Sequence, residues 1–382
     1  MRSLRLVALI SCLSGPSFAD NISDIEQIGT MHTADVQQTG GYQKSEIRQE
    51  GTGHQATVIQ SPAIEISGSA SVILQTGSGN WAEVDQHGSA AYIMQDGDGN
   101  HVSVEQTASL SPYSATIDQI GEENDATVRQ VLAAWGGLET IIQQTGDRNK
   151  ADAFQIAGDI SHHLVDIRQN GSDNNAAVKQ TSANDMNAIV EQTGQSNKAS
   201  IVQNGVYGTT MTASVDQTGS GNEASTAQFI VDYGSGQSHI VQDGSNNIAD
   251  VNQGVSFEAT TSSVTQIGSQ NTASVQQSGG GASANTSEVR ADGILSNITV
   301  QQAGFASNYN ESAIEVVGNR NTAAVTQNGS FEGRNLADIS EIGSDNVVSV
   351  SQSATSATNN SALNIAGSHN VISVVQRTVI AY

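Results

Sequence analysis

A glycine followed nine residues later by a glutamine recurs fifteen times in this chain without slipping phase, and that spacing limits what the chain can fold into. Number the unit so that the glycine is position +2 and the glutamine position +11. Position +2 is then Gly29, Gly51, Gly77, Gly97, Gly121, Gly146, Gly171, Gly194, Gly219, Gly244, Gly268, Gly293, Gly318, Gly343 and Gly367. Position +11 is Gln38, Gln60, Gln86, Gln106, Gln130, Gln155, Gln180, Gln203, Gln228, Gln253, Gln277, Gln302, Gln327, Gln352 and Gln376. Position 0 is Gln27, Gln49, Gln75, Gln95, Gln119, Gln144, Gln169, Gln192, Gln217, Gln242 and Gln266, then Ala291, Val316, Glu341 and Ile365. Position +5 is Asn80, Asn100, Asn124, Asn149, Asn174, Asn197, Asn222, Asn247, Asn271, Asn321, Asn346 and Asn370, with His32, His54 and Ser296 in the other three units. The period runs from 20 to 26 residues. One unit of that length cannot bury its own apolar face, so the units must stack on each other.

Within each unit the pattern alternates. Inward candidates fall at −4, −2 and 0, and again at +5, +7, +9 and +11, a period of two on either side of the glycine. This predicts two short strands joined by a four-residue arc such as Thr76-Gly77-Ser78-Gly79, in which glycine supplies a positive φ at low steric cost. Length varies only between +11 and the next strand, which makes one corner fixed and the other tolerant. Position −2 is aliphatic throughout and −4 is small in nearly every unit (Ser23, Ser71, Ala91, Ala213, Ser312), with Val165 the largest. Folding back at the arc is expected to set −2 against +7 and −4 against +9, so that each pair fills a similar volume. An amphipathic helix is excluded by the period of two and the β-branched content.

An inward glutamine carries an amide that costs about 1–3 kcal/mol if left unpaired. Stacking at about 4.7–4.8 Å lets each amide bond the one above and the one below. The same ladder is expected for the glutamines at 0 and the asparagines at +5. Exposed polar filler would drift to Ser, Thr, Lys or Glu, and +11 does not. The expected fold is an all-β solenoid of about fifteen two-strand rungs, strand–arc–strand, with stacked Gln and Asn ladders.

The unit Ser69-…-Gln75-Thr76-Gly77-…-Asn80-Trp81-Ala82-…-Gln86 resembles the curlin repeat, and the chain is similar to curli fibre subunits. The resemblance implies a secreted structural subunit that polymerises with itself into extracellular amyloid fibres for adhesion and biofilm matrix. It also implies a nucleator subunit and an outer-membrane export pore as partners, and a Gram-negative type of export to an extracellular or cell-surface fibre. A minor or nucleating subunit of such a fibre, or a monomeric solenoid adhesin, are the alternatives. The chain departs from the family in having fifteen units rather than about five, and in starting its first strand directly at Asn21.

Residues 1–19 read as a secretory signal: Arg2 and Arg5, an apolar run from Leu6 to Ile10, then Ser17-Phe18-Ala19 as a cleavage site. The remainder, 20–382, reads as a single repeat solenoid. Removing the leader takes away two arginines and the lone Cys12, and the formal charge moves from −24 to −26. No later stretch approaches the ~20 apolar residues of a membrane span.

That charge, with four lysines, opposes binding of nucleic acid. At 14% charged, 36% hydrophobic and 4% aromatic, the chain is poor in the material of a conventional enzyme core. Asp96-Gly97-Asp98-Gly99-Asn100 starts like a calcium loop but has His101 and Thr107 where that loop needs Gly and Glu. His162-His163 lacks further ligands and reads as an exposed loop pair. The acids, such as Glu83, Asp85, Glu105 and Asp216, fall at outward positions spread along the stack. No cofactor, metal or catalytic site is expected.

Overall fold

The structure, a computed structural model, describes residues 21–61, 68–107, 113–132, 136–157, 161–182, 185–206, 208–231, 234–256, 259–280, 283–306 and 308–379. The leader expected at 1–19 lies outside them. The described residues hold thirty strands and fall into two compact units that divide between Thr181 and Ser182.

The first unit contains seven rungs. It opens with Ile22–Thr30 and Thr33–Gln38 and closes with Ser161–Ser172 and Asn175–Ser182. The second contains eight, from Met186–Gln195 and Lys198–Gly205 to Thr358–Ala366 and Val371–Val379. In each unit the first strands of successive rungs form one parallel sheet and the second strands form another. The register is the sequence repeat itself: Gln27 pairs with Gln49, Gln49 with Gln75 and Gln75 with Gln95. In the second unit Gln266 pairs with Ala291, Ala291 with Val316, Val316 with Glu341 and Glu341 with Ile365. A one-residue slip would turn every inward side chain outward, so the variable period must be absorbed outside the strands. It is absorbed at the tolerant corner, as the sequence predicts.

The core is the set of inward positions. Ile73, Ala82, Val84, Ile93, Val104 and Ile117 are all within 1% of complete burial, and the amide residues among them are equally enclosed. At the tolerant corner, positions −6 and +13 together add two small apolar clusters: Tyr113 and Leu138 with Ala157 in the first unit, and Met186 and Met211 with Ile230 in the second.

Across the core, the hydroxyls at −4 have two kinds of partner. Thr226 and Ser238 do meet as +9 and −4, at 3.0 Å. Other hydroxyls at −4 reach the +11 amide instead: Gln60 donates to Ser71 at 3.2 Å, Thr140 donates to Gln155 at 2.9 Å and Ser361 to Gln376 at 3.0 Å. Small residues at −4 therefore serve as polar partners of the ladder as well as spacers. His163, expected in an exposed loop, is an inward −6 residue of a strand and 2% exposed.

The fixed corner explains its glycine. The φ at +2 runs from 102° at Gly77 to 152° at Gly293, and +4 is left-handed in every rung, at Gly79 (67°), Glu123 (55°) and Arg148 (54°) among others. The two positions differ in space. A Cβ built on Gly121 would run into the carbonyl oxygen of Gly146 in the next rung, whereas one on Gly79 would meet nothing within 4 Å. Conformation and close approach together exclude side chains at +2; at Gly79 only conformation disfavours one. Gly121→Ala is therefore expected to cost about 3 kcal/mol or more, and Gly79→Ala about 1 kcal/mol. Urea unfolding of the two variants beside the parent checks the pair, and equal losses would contradict the close-approach argument.

Candidate functional site

Every glutamine of the repeat has two amide hydrogens to place, and the structure shows where they go. At +11 one hydrogen runs along the stack: Gln86 donates to Gln106 at 2.8 Å, Gln106 to Gln130 at 2.7 Å and Gln277 to Gln302 at 2.9 Å. The other crosses to the facing sheet, where it meets the carbonyl at −5 of the same rung, as in Gln130 to Ser114 at 3.2 Å and Gln302 to Thr286 at 2.8 Å. At position 0 the arrangement repeats with a shift. Gln75 donates to Gln95 at 2.8 Å, and its second hydrogen reaches the +6 carbonyl of the preceding rung, Gln55, at 3.1 Å. Gln242 does the same with Gln266 (2.8 Å) and Glu223 (3.0 Å). Each residue thus stitches two rungs and two sheets. The ladders have a direction, since the amide nitrogen of one rung donates to the amide oxygen of the next rung toward the C-terminus.

The asparagines at +5 act differently from a side-chain ladder alone. The Asn100 Oδ1 accepts the backbone N–H of Asn124 at 3.0 Å, while its Nδ2 donates to the Gly121 carbonyl at 2.8 Å. Asn222 repeats this on Asn247 and Gly244, and Asn346 on Asn370 and Gly367. Contacts between the side chains themselves also form, such as Asn149 to Asn124 at 3.0 Å. Position +5 is therefore a clamp that holds the next rung's arc by its backbone, which is why glycine and asparagine keep their spacing.

Histidine fills this clamp in the first two rungs. The Nδ1 atoms of His32 and His54 lie 3.4 and 3.2 Å from the backbone nitrogens of His54 and Asn80. The Nε2 atoms lie 3.2 and 3.1 Å from the carbonyls of Ile28 and Glu50. The two rings stack, with centroids 5.1 Å apart. Ser296 takes the third exception, donating to Gly318 at 3.2 Å.

The loss of glutamine at position 0 after Gln266 is accompanied by a gain that the alternation pattern does not reveal. Asn285, Asn310, Asn335 and Asn359, all at −6, form their own ladder: Asn310 donates to Asn285 at 2.9 Å, Asn335 to Asn310 at 2.9 Å and Asn359 to Asn335 at 3.0 Å. Asn285, Asn310 and Asn335 also reach the carbonyls at +12 of the preceding rung, as in Asn335 to Asn328 at 3.0 Å. These are the rungs that carry Ala291, Val316, Glu341 and Ile365, so one column of amides is exchanged for another. The signal was a four-fold Asn at a fixed distance before position 0, in a region that looks like variable linker.

Not all acids face outward. Glu341 is fully buried, between Val316 and Ile365 in its column, and neither carboxylate oxygen has a hydrogen-bond partner among the described residues. Burial holds its carboxyl above the ordinary range, with the nearby Asn346 amide opposing that shift. A carboxyl raised in the folded state stabilises the fold at low pH, and that stability is lost as pH rises through the shifted value. Among the described residues, no group of three or more His, Cys, Asp or Glu is placed to hold a metal ion, and no helix is long and apolar enough to cross a membrane. A surface groove of about 270 Å³ beside Gln276, Gln301 and Thr326 carries no titratable side chain.

A parallel two-sheet solenoid whose inward columns are amide ladders is a stacking protein, with its chemistry spent on rung-to-rung cohesion. Residues 72–107 and 164–194 match the family model of the curlin associated repeat. No curated protein matches the chain. The first segment spans two complete motifs, with Gln75, Gly77, Asn80 and Gln86 and then Gln95, Gly97, Asn100 and Gln106.

Glu341→Gln would return the repeat's own residue, able to donate to the Thr322 carbonyl as Gln266 does to Ile248. The variant is expected to stabilise the chain by about 1–2 kcal/mol at pH 7, with the difference shrinking as pH falls toward 4. Urea midpoints of both proteins across that range check the sign, and a variant less stable than the parent at pH 7 would overturn it.

Proposed function

We propose that the chain is a secreted structural subunit that polymerises with itself into extracellular, curli-like amyloid fibres serving adhesion and biofilm matrix. Curlin repeats and a β-solenoid together fit a structural subunit of that type rather than a catalyst. The observation that carries the further step is a match between the first and last rungs. Asparagine at −6 occurs in the first rung, as Asn21, and then only in the last four, ending at Asn359. Gln38 and Gln376 occupy +11, Ser23 and Ser361 occupy −4, and Ile25 and Leu363 occupy −2. Placed last rung against first, two copies would continue four inward columns in register.

The directed amides favour the same arrangement, because Gln376 has a hydrogen to donate along the stack and Gln38 has an amide oxygen to accept it. Positions 0 and +5 are exceptions, with Ile365 opposite Gln27 and Asn370 opposite His32. Such a junction is selective for copies of this chain and is weaker than the internal rung contacts. A nucleator subunit and an outer-membrane export pore are the partners that the family reading adds.

The test uses residues 20–382 released from denaturant at micromolar concentration. Thioflavin-positive fibres by electron microscopy, with a meridional reflection at about 4.7–4.8 Å, are the expected result. A folded monomer that persists at high concentration would sink this reading and support a monomeric adhesin.

A further inference from the structure

We infer that the buried His54 forms a pH-sensitive clamp that opens the N-terminal arcs under mild acid while the asparagine-clamped rungs stay closed. The inference concerns the fold of the chain itself and does not require that fibres form.

Geometry sets the protonation state. His54 is fully buried, and its Nδ1 faces the backbone N–H of Asn80 at 3.2 Å while Nε2 faces the Glu50 carbonyl at 3.1 Å. A backbone N–H only donates and a carbonyl only accepts, so the ring must be neutral, with its proton on Nε2. His32, half-buried in the first rung, presents the same two atoms to the His54 N–H and the Ile28 carbonyl. Protonation would place an N–H on Nδ1 directly opposite the Asn80 N–H. It would also bring charge beside a stacked imidazole 5.1 Å away. Asparagine at +5 satisfies the same donor and acceptor with an amide that does not titrate in this range.

The neighbouring charges do not rescue the charged form. Asp24, Glu26, Asp35, Lys44, Glu46, Arg48, Glu50, Glu83, Asp85 and His87 lie on the strands around this corner at outward positions, and the strands 55–61 and 70–78 carry no charged residue. Asp98, on a later arc, favours the charged ring from a distance, but its Oδ1 is engaged by Ser78 at 2.8 and 2.9 Å. Burial, the largest influence, lowers the His54 pKa below 6.5, and His32 lowers it further; the Glu50 and Gly77 carbonyls and Asp98 oppose the shift. The sign follows. A histidine with a depressed pKa in the fold takes up protons on opening, so its stabilising contribution is complete above about 6.5 and is lost as pH falls below that value.

The experiment is hydrogen exchange by mass spectrometry on residues 20–382, kept monomeric at low concentration. Exchange is compared at pH 7, 6 and 5 between the parent and His54→Asn, so that intrinsic exchange rates cancel. In the parent, protection of residues 50–61 and of the Asn80 amide is expected to fall by up to about tenfold per pH unit below 6.5. Protection around the asparagine-clamped Asn124 should hold, and the variant should keep its N-terminal protection. Equal losses in parent and variant would assign the acid response to the carboxylates and overturn the clamp. If the variant does not fold, ¹⁵N NMR of the parent decides: a proton on Nε2 and a titration midpoint below 6.5 support the clamp. A proton on Nδ1, or a midpoint at or above 6.5, overturns it. Fibre assays at the same pH values then show separately whether growth follows the state of the first rungs, so a failure of polymerisation is not mistaken for a failure of the switch.

Discussion

A primary amide has two hydrogens and two oxygen lone pairs, and a buried amide in this stack must place nearly all of them. That requirement organises the structure. A glutamine that bonds only its neighbours along the stack leaves one hydrogen over, and in a core this thin the remaining acceptor is a backbone carbonyl of the facing sheet. Position +11 finds one within its own rung and position 0 finds one in the rung before. The two sheets are therefore joined by directed bonds as well as by apolar contact. The result resembles a steric zipper folded within one chain, where identical side chains lie over each other because the sequence repeats. Partial satisfaction would be worse than an apolar core, which is the physical reason for the near-invariance of these columns.

The exchange of columns in the last rungs fits the same rule. Where position 0 turns apolar, the amide at −6 takes over the link between a strand and the carbonyl at +12 of the rung before. The polar column has moved to the tolerant corner, where the first unit and the early second unit carry Tyr113, Leu138, Met186 and Met211. The last four rungs thus carry an amide at −6 in place of one at position 0, while +5 stays an amide at Asn321, Asn346 and Asn370. Glu341 breaks the rule, because it sits in the column made apolar and finds no partner. It is a point where composition and fold disagree.

Much of this was legible in the chain. The phase of Gly77, Asn80 and Gln86 against the alternation of Ile73, Ala82 and Val84 is enough to specify strands, arc, register and buried amides. What was not legible needed coordinates. The bond from Gln130 to the Ser114 carbonyl depends on how far one sheet is offset from the other, and an alternation pattern contains no such offset; the reach of the −4 hydroxyls to the +11 amide was hidden for the same reason. The ladder through Asn310 and Asn335 lay before the first position at which alternation could be recognised. His54 was visible as an exception to asparagine, but its role rests on which ring nitrogen faces an N–H and which a carbonyl.

Parallel, in-register stacking multiplies whatever it repeats, and the outer faces show the converse of the core. An outward acid repeated in every rung would stand over its copies at strand spacing. The chain instead varies these positions, and although Asp85 pairs with Glu105 and Glu191 with Asp216 in register, it sets opposite charges over one another at several places. Arg148 over Asp173 and Arg320 over Asp345 are bidentate, and Lys198 lies over Glu223 at 2.7 Å and Arg129 over Glu105 at 3.2 Å. Arg48 over Glu26 and Arg290 over Glu315 are looser, at 3.8 and 3.6 Å. Arg148 and Arg320 hold the Asp173 and Asp345 carboxyls below the usual carboxylate range. Exposed pairs of this kind add little stability singly. Their consequence lies in register, since sliding by one rung would bring Asp173 and the other acids against different neighbours, while the amide columns inside would fit almost as well. The identical interior supplies cohesion without marking which rung is which, and the varied charged exterior distinguishes one rung from the next.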